Sequence, residues 1–275
     1  MKRTLLLAGR IATVHGSPQQ QQGAATGGST VDEEEVQRLS ESARLRWWDP
    51  EGEMKPLHRM NPKRVAYLRT CLTKRLGLPP LAPQPFTGLR FLDVGCGPGL
   101  LTESLARLGG EVLGVDASAA NIQTAIKHSS GDSSLSTLAY RHGTAEGLAA
   151  EGQQFDVVSS LEVIEHVNNP ELFINSLSGL VKPGGSLFLS TINRTMKSYA
   201  LAIVGAEYIL GWVPPGTHQW NKFVQPTELG VLLQRAGMNL EELTGLAYQP
   251  WNGSWSFTTD TSVNYLLWAT KPLAQ

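Results

Sequence analysis

Between an apolar run and a helical pattern, the chain reads Leu92-Asp93-Val94-Gly95-Cys96-Gly97-Pro98-Gly99. Glycines at a junction from strand to helix let a ligand approach the backbone, and α/β sheets build their ligand crevice at such a junction. Leu100 stands where a dinucleotide-binding GxGxxG fingerprint needs its third glycine, and no Gly-Lys-Ser or Gly-Lys-Thr follows to form a phosphate-binding loop. The segment therefore predicts a ligand site of another kind, with a tight turn that binds nothing as the alternative.

An acidic residue accompanies this glycine loop. Asp116 ends the next predicted strand, roughly 20 residues beyond Gly95. At the tip of a neighbouring strand, a carboxylate can accept hydrogen bonds from both hydroxyls of a ribose. Gly95 and Asp116 together therefore predict a nucleoside ligand without a pyrophosphate.

Apolar runs and helical patterns alternate along the chain beyond the glycine loop. Such alternation predicts βαβ units, which pack as a parallel sheet with helices on both faces. The predicted strands span residues 89–94, 111–116, 137–142, 155–160 and 186–192. The predicted helices span residues 99–108, 118–128 and 162–180, the last with a break at Pro170.

The end of the chain follows a different pattern. A helix is predicted over residues 225–236, and strands follow near residues 238–247 and 262–270 with no helix between them. Two strands joined without a crossover must be antiparallel. The predicted fold class is therefore α/β, with a mostly parallel sheet that ends in antiparallel strands.

Two helices are predicted ahead of the sheet, over residues 32–48 and 61–76. Asn61 as N-cap and Pro62 at the first helical position predict the start of the second helix, and Gly77 predicts its end. These helices indicate a cap that precedes the sheet.

A proline-rich segment at residues 78–85 follows this cap. We therefore divide the chain into a leader at residues 1–31, an N-terminal helical cap and linker at residues 32–85, and a sheet domain at residues 86–275.

The leader contains three basic residues and no acidic one: Lys2, Arg3 and Arg10. Its apolar run is broken at Gly9-Arg10 and a polar segment of low complexity follows, which argues against a secretory signal. The composition fits a mitochondrial transit peptide, with a disordered tail as the alternative.

The overall composition excludes several classes of protein. The net charge is −1, with 23 basic and 24 acidic residues, so no basic field favours a nucleic-acid partner. Apolar residues make up 41% of the chain, which argues against disorder. Cys71 and Cys96 match no Cys-x-x-Cys spacing, which excludes a disulfide scaffold and a zinc ribbon.

Further segments, together with the glycine loop and Asp116, carry a resemblance to a known family. They are Trp47-Trp48-Asp49-Pro50-Glu51-Gly52-Glu53-Met54-Lys55-Pro56-Leu57-His58-Arg59-Met60-Asn61-Pro62, Ser160-Leu161-Glu162-Val163-Ile164-Glu165-His166-Val167, Thr191-Ile192-Asn193-Arg194-Thr195 and Gly216-Thr217-His218-Gln219-Trp220. The glycine loop and Asp116 are similar to the first two motifs of class I S-adenosylmethionine-dependent methyltransferases. With the further segments, the chain resembles the O-methyltransferases of ubiquinone biosynthesis over about residues 44–272.

The resemblance implies a Rossmann-like sheet of seven strands and S-adenosylmethionine as methyl donor. It implies that Asp116 binds the ribose and that the turn at Gly95 accommodates the methionine end. Arg64 would bind the cofactor carboxylate, because a guanidinium can hold two oxygens at once, and Leu161 would line the adenosine pocket. From sequence alone, Arg64 could equally be a surface arginine and Leu161 a core leucine.

Glu162, Glu165 and His166 are spaced i, i+3 and i+4. On an α-helix of ~3.6 residues per turn they would span an arc of about 100°, so all three could face one ion. Carboxylates with one imidazole suit Mg²⁺ or Zn²⁺ better than a soft metal. The alternative is that these three residues bind no metal ion. The resemblance favours metal binding, with Mg²⁺ as the first candidate. His218 is the candidate for an additional base, or else a structural hydrogen-bonding residue.

The apolar stretch at residues 199–213 is interrupted by Glu207 and is too short to span a bilayer, which takes ~20 apolar residues. It predicts an interfacial helix within a membrane-contacting insertion at residues 196–224, with a buried core helix as the alternative.

The resemblance also implies substrates, partners and a location. The acceptors would be polyprenylated dihydroxybenzoates and demethylubiquinol, methylated by a multi-subunit ubiquinone-synthesis complex on the matrix side of the mitochondrial inner membrane. The alternatives are an O-methyltransferase of a soluble catechol or another small molecule, and a non-catalytic subunit of a quinone-synthesis complex.

Overall fold

Eight strands form one sheet in the computed structural model, which describes residues 29–33, 35–37, 47–52, 54–201 and 219–273. The strands are β1 Arg90–Val94, β2 Glu111–Asp116, β3 Leu138–His142, β4 Phe155–Leu161, β5 Val181–Ile192, β6 Asn239–Gln249, β7 Ser254–Thr258 and β8 Asn264–Thr270. Their order across the sheet is β3-β2-β1-β4-β5-β8-β6-β7. Strands β1 to β5 are parallel, and β8 is antiparallel to both β5 and β6. The predicted α/β class and the antiparallel end of the sheet are confirmed.

Helices pack on both faces of this sheet. They are α1 Lys55–Leu76, α2 Leu100–Arg107, α3 Ala119–Ser129, α4 Ala145–Ala150, α5 Pro170–Leu180 and α6 Pro226–Arg235. Side chains alternate between the two faces of a strand, and β1 accordingly gives Leu92 to one apolar cluster and Phe91 to the other. Helices α4, α5 and α6 contribute to the first cluster, whereas α1 and α2 contribute to the second.

The sheet has eight strands, whereas the resemblance implied seven, and the short edge strand β7 is the one that was not predicted. It pairs antiparallel with β6 at the edge of the sheet, from Gly245 opposite Thr258 to Gln249 opposite Ser254. Its residues are half-buried or exposed. A strand this short and this exposed carries a weak apolar signal, so the sequence predicts only a connection over residues 248–261.

Helix α1 begins earlier than predicted. The prediction of Asn61 as N-cap is wrong, because Met54 occupies that position and Pro56 lies in the first turn. Asn61 is instead buried in the helix, where its side-chain amide donates to the carbonyl of Leu100 at 3.1 Å. The predicted end is confirmed, since Gly77 adopts a left-handed conformation with φ of 63°.

The segment after β4 also differs from its prediction as one broken helix over residues 162–180. Glu162 has φ of 59°, a left-handed conformation. A single 3₁₀ turn follows at Ile164–His166. Helix α5 starts only at Pro170, where the Asn169 side chain accepts a hydrogen bond from the amide of Leu172.

At the N-terminus, residues 33 and 35–37 of the predicted helix 32–48 are helical, and much of the remainder lies outside the described residues. None of the helices in the described ranges is long and apolar enough to cross a membrane.

Candidate active site

A cavity of about 940 Å³ opens at the carboxyl ends of β1, β2 and β4. Ligand sites of open α/β sheets lie at these ends. The glycine loop, Asp116 and Leu161 line the cavity from the sheet, and Arg64 lines it from α1. The structure therefore brings the four predicted cofactor-binding positions to one cavity.

The glycine loop requires glycine at two of its positions. Gly95 has φ of +72°, and a Cβ there would overlap a methyl group of Val163. Gly99 has φ of +99°, and a Cβ there would overlap the Tyr140 hydroxyl. The loop is held to the next strand by hydrogen bonds from the amides of Gly95 and Cys96 to the carbonyl of Val115. The backbone at Gly95 is therefore fixed at the cavity wall.

Asp116 connects this loop to the start of α3. Its Oδ2 accepts from the amide of Gly97 at 2.8 Å, and its Oδ1 accepts from the amide of Ser118 at 2.8 Å and the side chain of Asn121 at 3.2 Å. Burial raises the pKa of Asp116, and the hydrogen bonds from Ser118 and Gly97 oppose that effect. A carboxylate has about four lone-pair sites, so the three hydrogen bonds leave room for a ribose hydroxyl.

Arg64 is a buried cation whose guanidinium has hydrogen-bond donors available for a ligand. Its side chain is 8% exposed, and its Nη2 lies 3.2 Å from Oε1 of Glu162. Among the described residues, Nε of Arg64 has no hydrogen-bond partner, and the contact of Nη2 with Glu162 is an ion pair without hydrogen-bond geometry. Buried polar groups that lack partners are costly, and a guanidinium fork binds a carboxylate by two parallel bonds. The group therefore fits the carboxylate of an amino acid.

Asp93 is a site residue that the sequence prediction did not single out. It is buried at the cavity, where it accepts from the Thr102 hydroxyl at 2.7 Å and the Ser159 hydroxyl at 2.8 Å. Burial raises the pKa of Asp93 to about 6. Its position two residues before Gly95, at the end of an otherwise apolar strand, was the signal available in the sequence.

The three predicted metal ligands do not share one helical face, because Glu162 precedes the 3₁₀ turn that holds the other two. Oε1 of Glu162 accepts from the Ser190 hydroxyl at 2.6 Å, and Oε2 of Glu165 accepts from the Thr191 hydroxyl at 2.9 Å. Nδ1 of His166 forms a hydrogen bond with Oε1 of Glu35, at 2.7 Å. Within the described ranges, no group of three His, Cys, Asp or Glu side chains forms a metal site.

The electrostatics around these side chains are nevertheless unusual. Burial and the nearby charge of Glu162 raise the pKa of Glu165 to about 7. Burial lowers the pKa of His166, but its hydrogen bond with Glu35 and the surrounding carboxylates outweigh this effect and raise it. Two carboxylates close enough to repel one another form a region that would favour a cation. His218 lies outside the described residues.

The part of the cavity beyond the glycine loop is largely apolar. Its walls come from α1, β5, the residue Leu201, and the hairpin of β6 and β7. The lining residues of this apolar part are Met60, Ile192, Leu201, Leu246, Tyr248 and Trp255. The cavity therefore places an apolar space beside the predicted nucleoside site.

Comparison with known proteins connects this geometry to a family. Residues 57–243 match the family model described as a methyltransferase domain. The chain is 48% identical over 262 residues to the mitochondrial ubiquinone biosynthesis O-methyltransferase of Arabidopsis thaliana, covering 95% of this chain and 81% of that protein. It is also 48% identical over 247 residues to the ubiquinone biosynthesis O-methyltransferase of Brucella ovis, covering 90% of this chain and 98% of that protein. The chain belongs to the ubiquinone biosynthesis O-methyltransferase family.

Solved structures confirm the fold of this methyltransferase. The magnesium protoporphyrin IX methyltransferase of Synechocystis, solved with bound S-adenosylmethionine, superimposes with a TM-score of 0.57 at 16% identity, covering 89% of this chain and all of that one. The same enzyme with bound S-adenosylhomocysteine gives a TM-score of 0.55 at 18% identity, covering 89% of this chain and 90% of that one. The fold is that of class I methyltransferases, and the family uses S-adenosylmethionine as methyl donor. The protein is therefore an S-adenosylmethionine-dependent methyltransferase.

Proposed function

We propose that this methyltransferase transfers the methyl group of S-adenosylmethionine to a hydroxyl of polyprenyl-dihydroxybenzoate and of demethylubiquinol. The observation that carries the proposal is a single cavity that joins a nucleoside-type site to an apolar space. The glycine loop and Asp116 lie at one part of this cavity, whereas Leu246 and Trp255 line another. An aromatic ring with a prenyl chain suits the apolar part, because burial of apolar area is favourable.

The contacts at the cavity wall support the proposed cofactor-binding roles. We assign the ribose to Asp116, the methionine end to the fixed backbone at Gly95, and the adenosine pocket to Leu161. Arg64 would bind the cofactor carboxylate with the guanidinium donors that its ion pair with Glu162 leaves available. Asp93, buried behind the loop, would keep the backbone of β1 in place through Thr102 and Ser159.

Methyl transfer from a sulfonium is an in-line displacement, in which the acceptor oxygen bonds to the methyl carbon as the bond from carbon to sulfur breaks. Holding the two reactants in this alignment can supply ~7–11 kcal/mol of the barrier. The acceptor must also lose its proton, since a phenol with a pKa near ~10 is a poor nucleophile at neutral pH. The site must therefore position the acceptor and assist its ionisation.

For that assistance we propose a divalent cation, Mg²⁺ before Zn²⁺, at Glu162, Glu165 and His166. The repulsion between the buried carboxylate of Glu165 and the half-buried carboxylate of Glu162 supports this choice, as do their hard oxygen donors. The hydroxyls of Ser190 and Thr191 each occupy one oxygen of these carboxylates, so the second oxygen of Glu162 and of Glu165 would hold the cation. When bound, the ion supplies Lewis acidity that favours the ionised form of the catechol. His218 remains the proposed additional base.

We also propose peripheral membrane contact through the insertion at residues 196–224. Its described side chains include two exposed apolar ones, Met196 at 75% and Leu201 at 53% exposure, and Leu201 also lines the cavity. Replacing both residues with Asp is expected to reduce binding to anionic liposomes, whereas Leu81→Asp, in the exposed linker, is the matched control. Equal liposome binding by the folded double variant would contradict the proposal.

The lipid nature of these acceptors and the mitochondrial relative support a location on the matrix side of the mitochondrial inner membrane. We propose that the predicted leader at residues 1–31 supplies the transit peptide and that cleavage falls before residue 29, because Thr30 and Val31 contact Asn168 and Val167 of the folded domain. We also propose that the protein works beside the other enzymes of a ubiquinone-synthesis complex. Import into isolated mitochondria, with and without residues 2–28, tests the location. Import that is independent of the leader would contradict it.

The acceptor class can be tested by comparing a catechol that carries a short prenyl chain with the same catechol without the chain. We expect kcat/KM to be more than tenfold higher for the prenylated acceptor, because each buried methylene contributes ≈ 0.8 kcal/mol. Equal values for the two acceptors would favour a soluble catechol as substrate. Cofactor binding without turnover of either acceptor would favour a non-catalytic subunit.

A further inference from the structure

Residues 29–33 and 35–37, here termed the N-terminal strap, lie across the segment that follows β4. Val31 forms an antiparallel bridge with Val167, and the amide of Asn168 donates to the carbonyl of Thr30 at 2.9 Å. The strap therefore binds the two residues that come directly after His166.

Side chains hold the strap from both sides. The Thr30 hydroxyl donates to Glu146 at 2.5 Å, and Lys222 donates to Asp32 at 3.1 Å. Strap residues also line the cavity, namely Thr30, Val31, Asp32 and Val36. This part of the chain precedes residues 57–243, which match the methyltransferase domain, yet it forms a wall of the active-site cavity.

Glu35 connects the strap to His166, one of the proposed cation ligands. It is 5% exposed, and its Oε1 lies 2.7 Å from Nδ1 of His166. An ionised carboxylate only accepts hydrogen bonds, so Nδ1 carries the proton. His166 lines the cavity, and its contact with Glu35 occupies Nδ1, so Nε2 is the ring nitrogen available to a ligand.

We propose that Glu35 is a positioning residue that fixes the orientation and tautomer of His166, with Nε2 presented to the acceptor site. The proposal rests on the proposed function of His166 for its effect on turnover. Histidines that ligate metals commonly donate their other N–H to a carboxylate, and loss of that partner reduces metal affinity or activity 10–100-fold. The same orientation would also present Nε2 of His166 to the acceptor when no metal ion lies between them.

The first test is spectroscopic and needs neither acceptor nor metal. The chain has six histidines, so the ¹⁵N spectrum of histidine-labelled protein is tractable, and His166→Gln assigns the His166 signals. In the wild type we expect a protonated Nδ1 and an unprotonated Nε2 at high pH. In Glu35→Ala we expect the mixture of tautomers typical of a free imidazole. Identical His166 signals in the two proteins would overturn the proposal.

The second test is kinetic and compares Glu35→Gln with Glu33→Gln, which removes an exposed carboxylate from the same strap. We expect kcat to fall roughly 10–100-fold in Glu35→Gln, with the dissociation constant of S-adenosylhomocysteine unchanged. Glu33→Gln should match the wild type, and Glu35→Asp should recover part of kcat. A Glu35→Gln variant with full kcat would overturn the proposal. If no acceptor is turned over by the wild type, the proposed function fails while the spectroscopic test still decides the role of Glu35.

Discussion

Nη2 of Arg64 lies 3.2 Å from Oε1 of Glu162, so a cation of the N-terminal helix meets a carboxylate that directly follows β4. Both side chains line the cavity. The guanidinium still has donors without described partners, which lets it hold Glu162 and a cofactor carboxylate at the same time. This ion pair therefore connects the helical cap both to the proposed cofactor site and to the proposed cation site at Glu162.

Arg64→Met is expected to weaken the binding of S-adenosylhomocysteine by about 10–100-fold, because a hydrogen bond to a charged group is worth ≈ 1.5–3 kcal/mol. Isothermal calorimetry measures the change. Lys74→Met, in the exposed last turn of α1, is the control and should bind like the wild type. Unchanged affinity in Arg64→Met would show that another residue binds the cofactor carboxylate.

Gly95→Ala is expected to destabilise the fold more than Gly97→Ala. Both residues have positive φ, which costs an L-residue roughly 1–2 kcal/mol. Only at Gly95 would the new Cβ also collide with Val163, and overpacking typically costs 1–3 kcal/mol more. Urea unfolding of the two variants gives the comparison. Equal losses of stability would mean that Val163 moves aside freely.

Asp93→Asn should change how stability depends on pH. The pKa of Asp93 is about 6, against a usual 3.8, so the folded protein binds its proton more tightly than the unfolded chain. The Asp93 contribution to stability is therefore fully present below pH 3.8 and is lost as the pH rises to about 6, by on the order of 3 kcal/mol. The difference in unfolding free energy between wild type and variant should shift by most of that amount between pH 4 and 6.5 and stay level above pH 6.5. A constant difference over this range would contradict the burial of an ionisable Asp93.

Glu165→Gln is expected to lower both the affinity for Mg²⁺ and turnover, with cofactor affinity unchanged, because it removes one of the two repelling carboxylates. Calorimetric titration with Mg²⁺ and elemental analysis of the purified enzyme provide readouts that do not depend on activity. Glu171→Gln, an exposed residue of α5, is the control. A wild-type enzyme that is active without metal and indifferent to chelators would rule out the metal.

The sequence predicted those elements whose signals are local. Strands β1, β2, β4 and β5 are largely buried apolar runs with Gly or Pro near their ends, and the loop at Gly95 follows the first of them. The edge strand β3 is half-buried or exposed. Pro56 is as good a first-turn signal as Pro62, so the sequence is also compatible with the observed start of α1. The break before α5 was marked by Asn169 and Pro170, an N-cap followed by a proline.

Contacts between distant segments could not be predicted in this way. The hydrogen bond of Glu35 with His166 joins residues 131 positions apart, and nothing in either local pattern indicates it. The ion pair of Arg64 with Glu162 likewise joins residues far apart in the sequence, so no local pattern indicates it. The predicted arc of Glu162, Glu165 and His166 failed because it assumed a continuous helix through a residue with φ of 59°.

The most direct test of the account uses S-adenosylmethionine labelled with ¹³C in its methyl group and a catechol that carries a short prenyl chain, with Mg²⁺ present. The account predicts one labelled methyl group on a catechol oxygen, identified by carbon NMR, with an equal amount of S-adenosylhomocysteine formed. Asp116→Ala should bind the cofactor more weakly and form less product at the same cofactor concentration. A wild-type protein that binds the cofactor but forms no labelled methyl ether, or that methylates carbon instead of oxygen, would contradict the account.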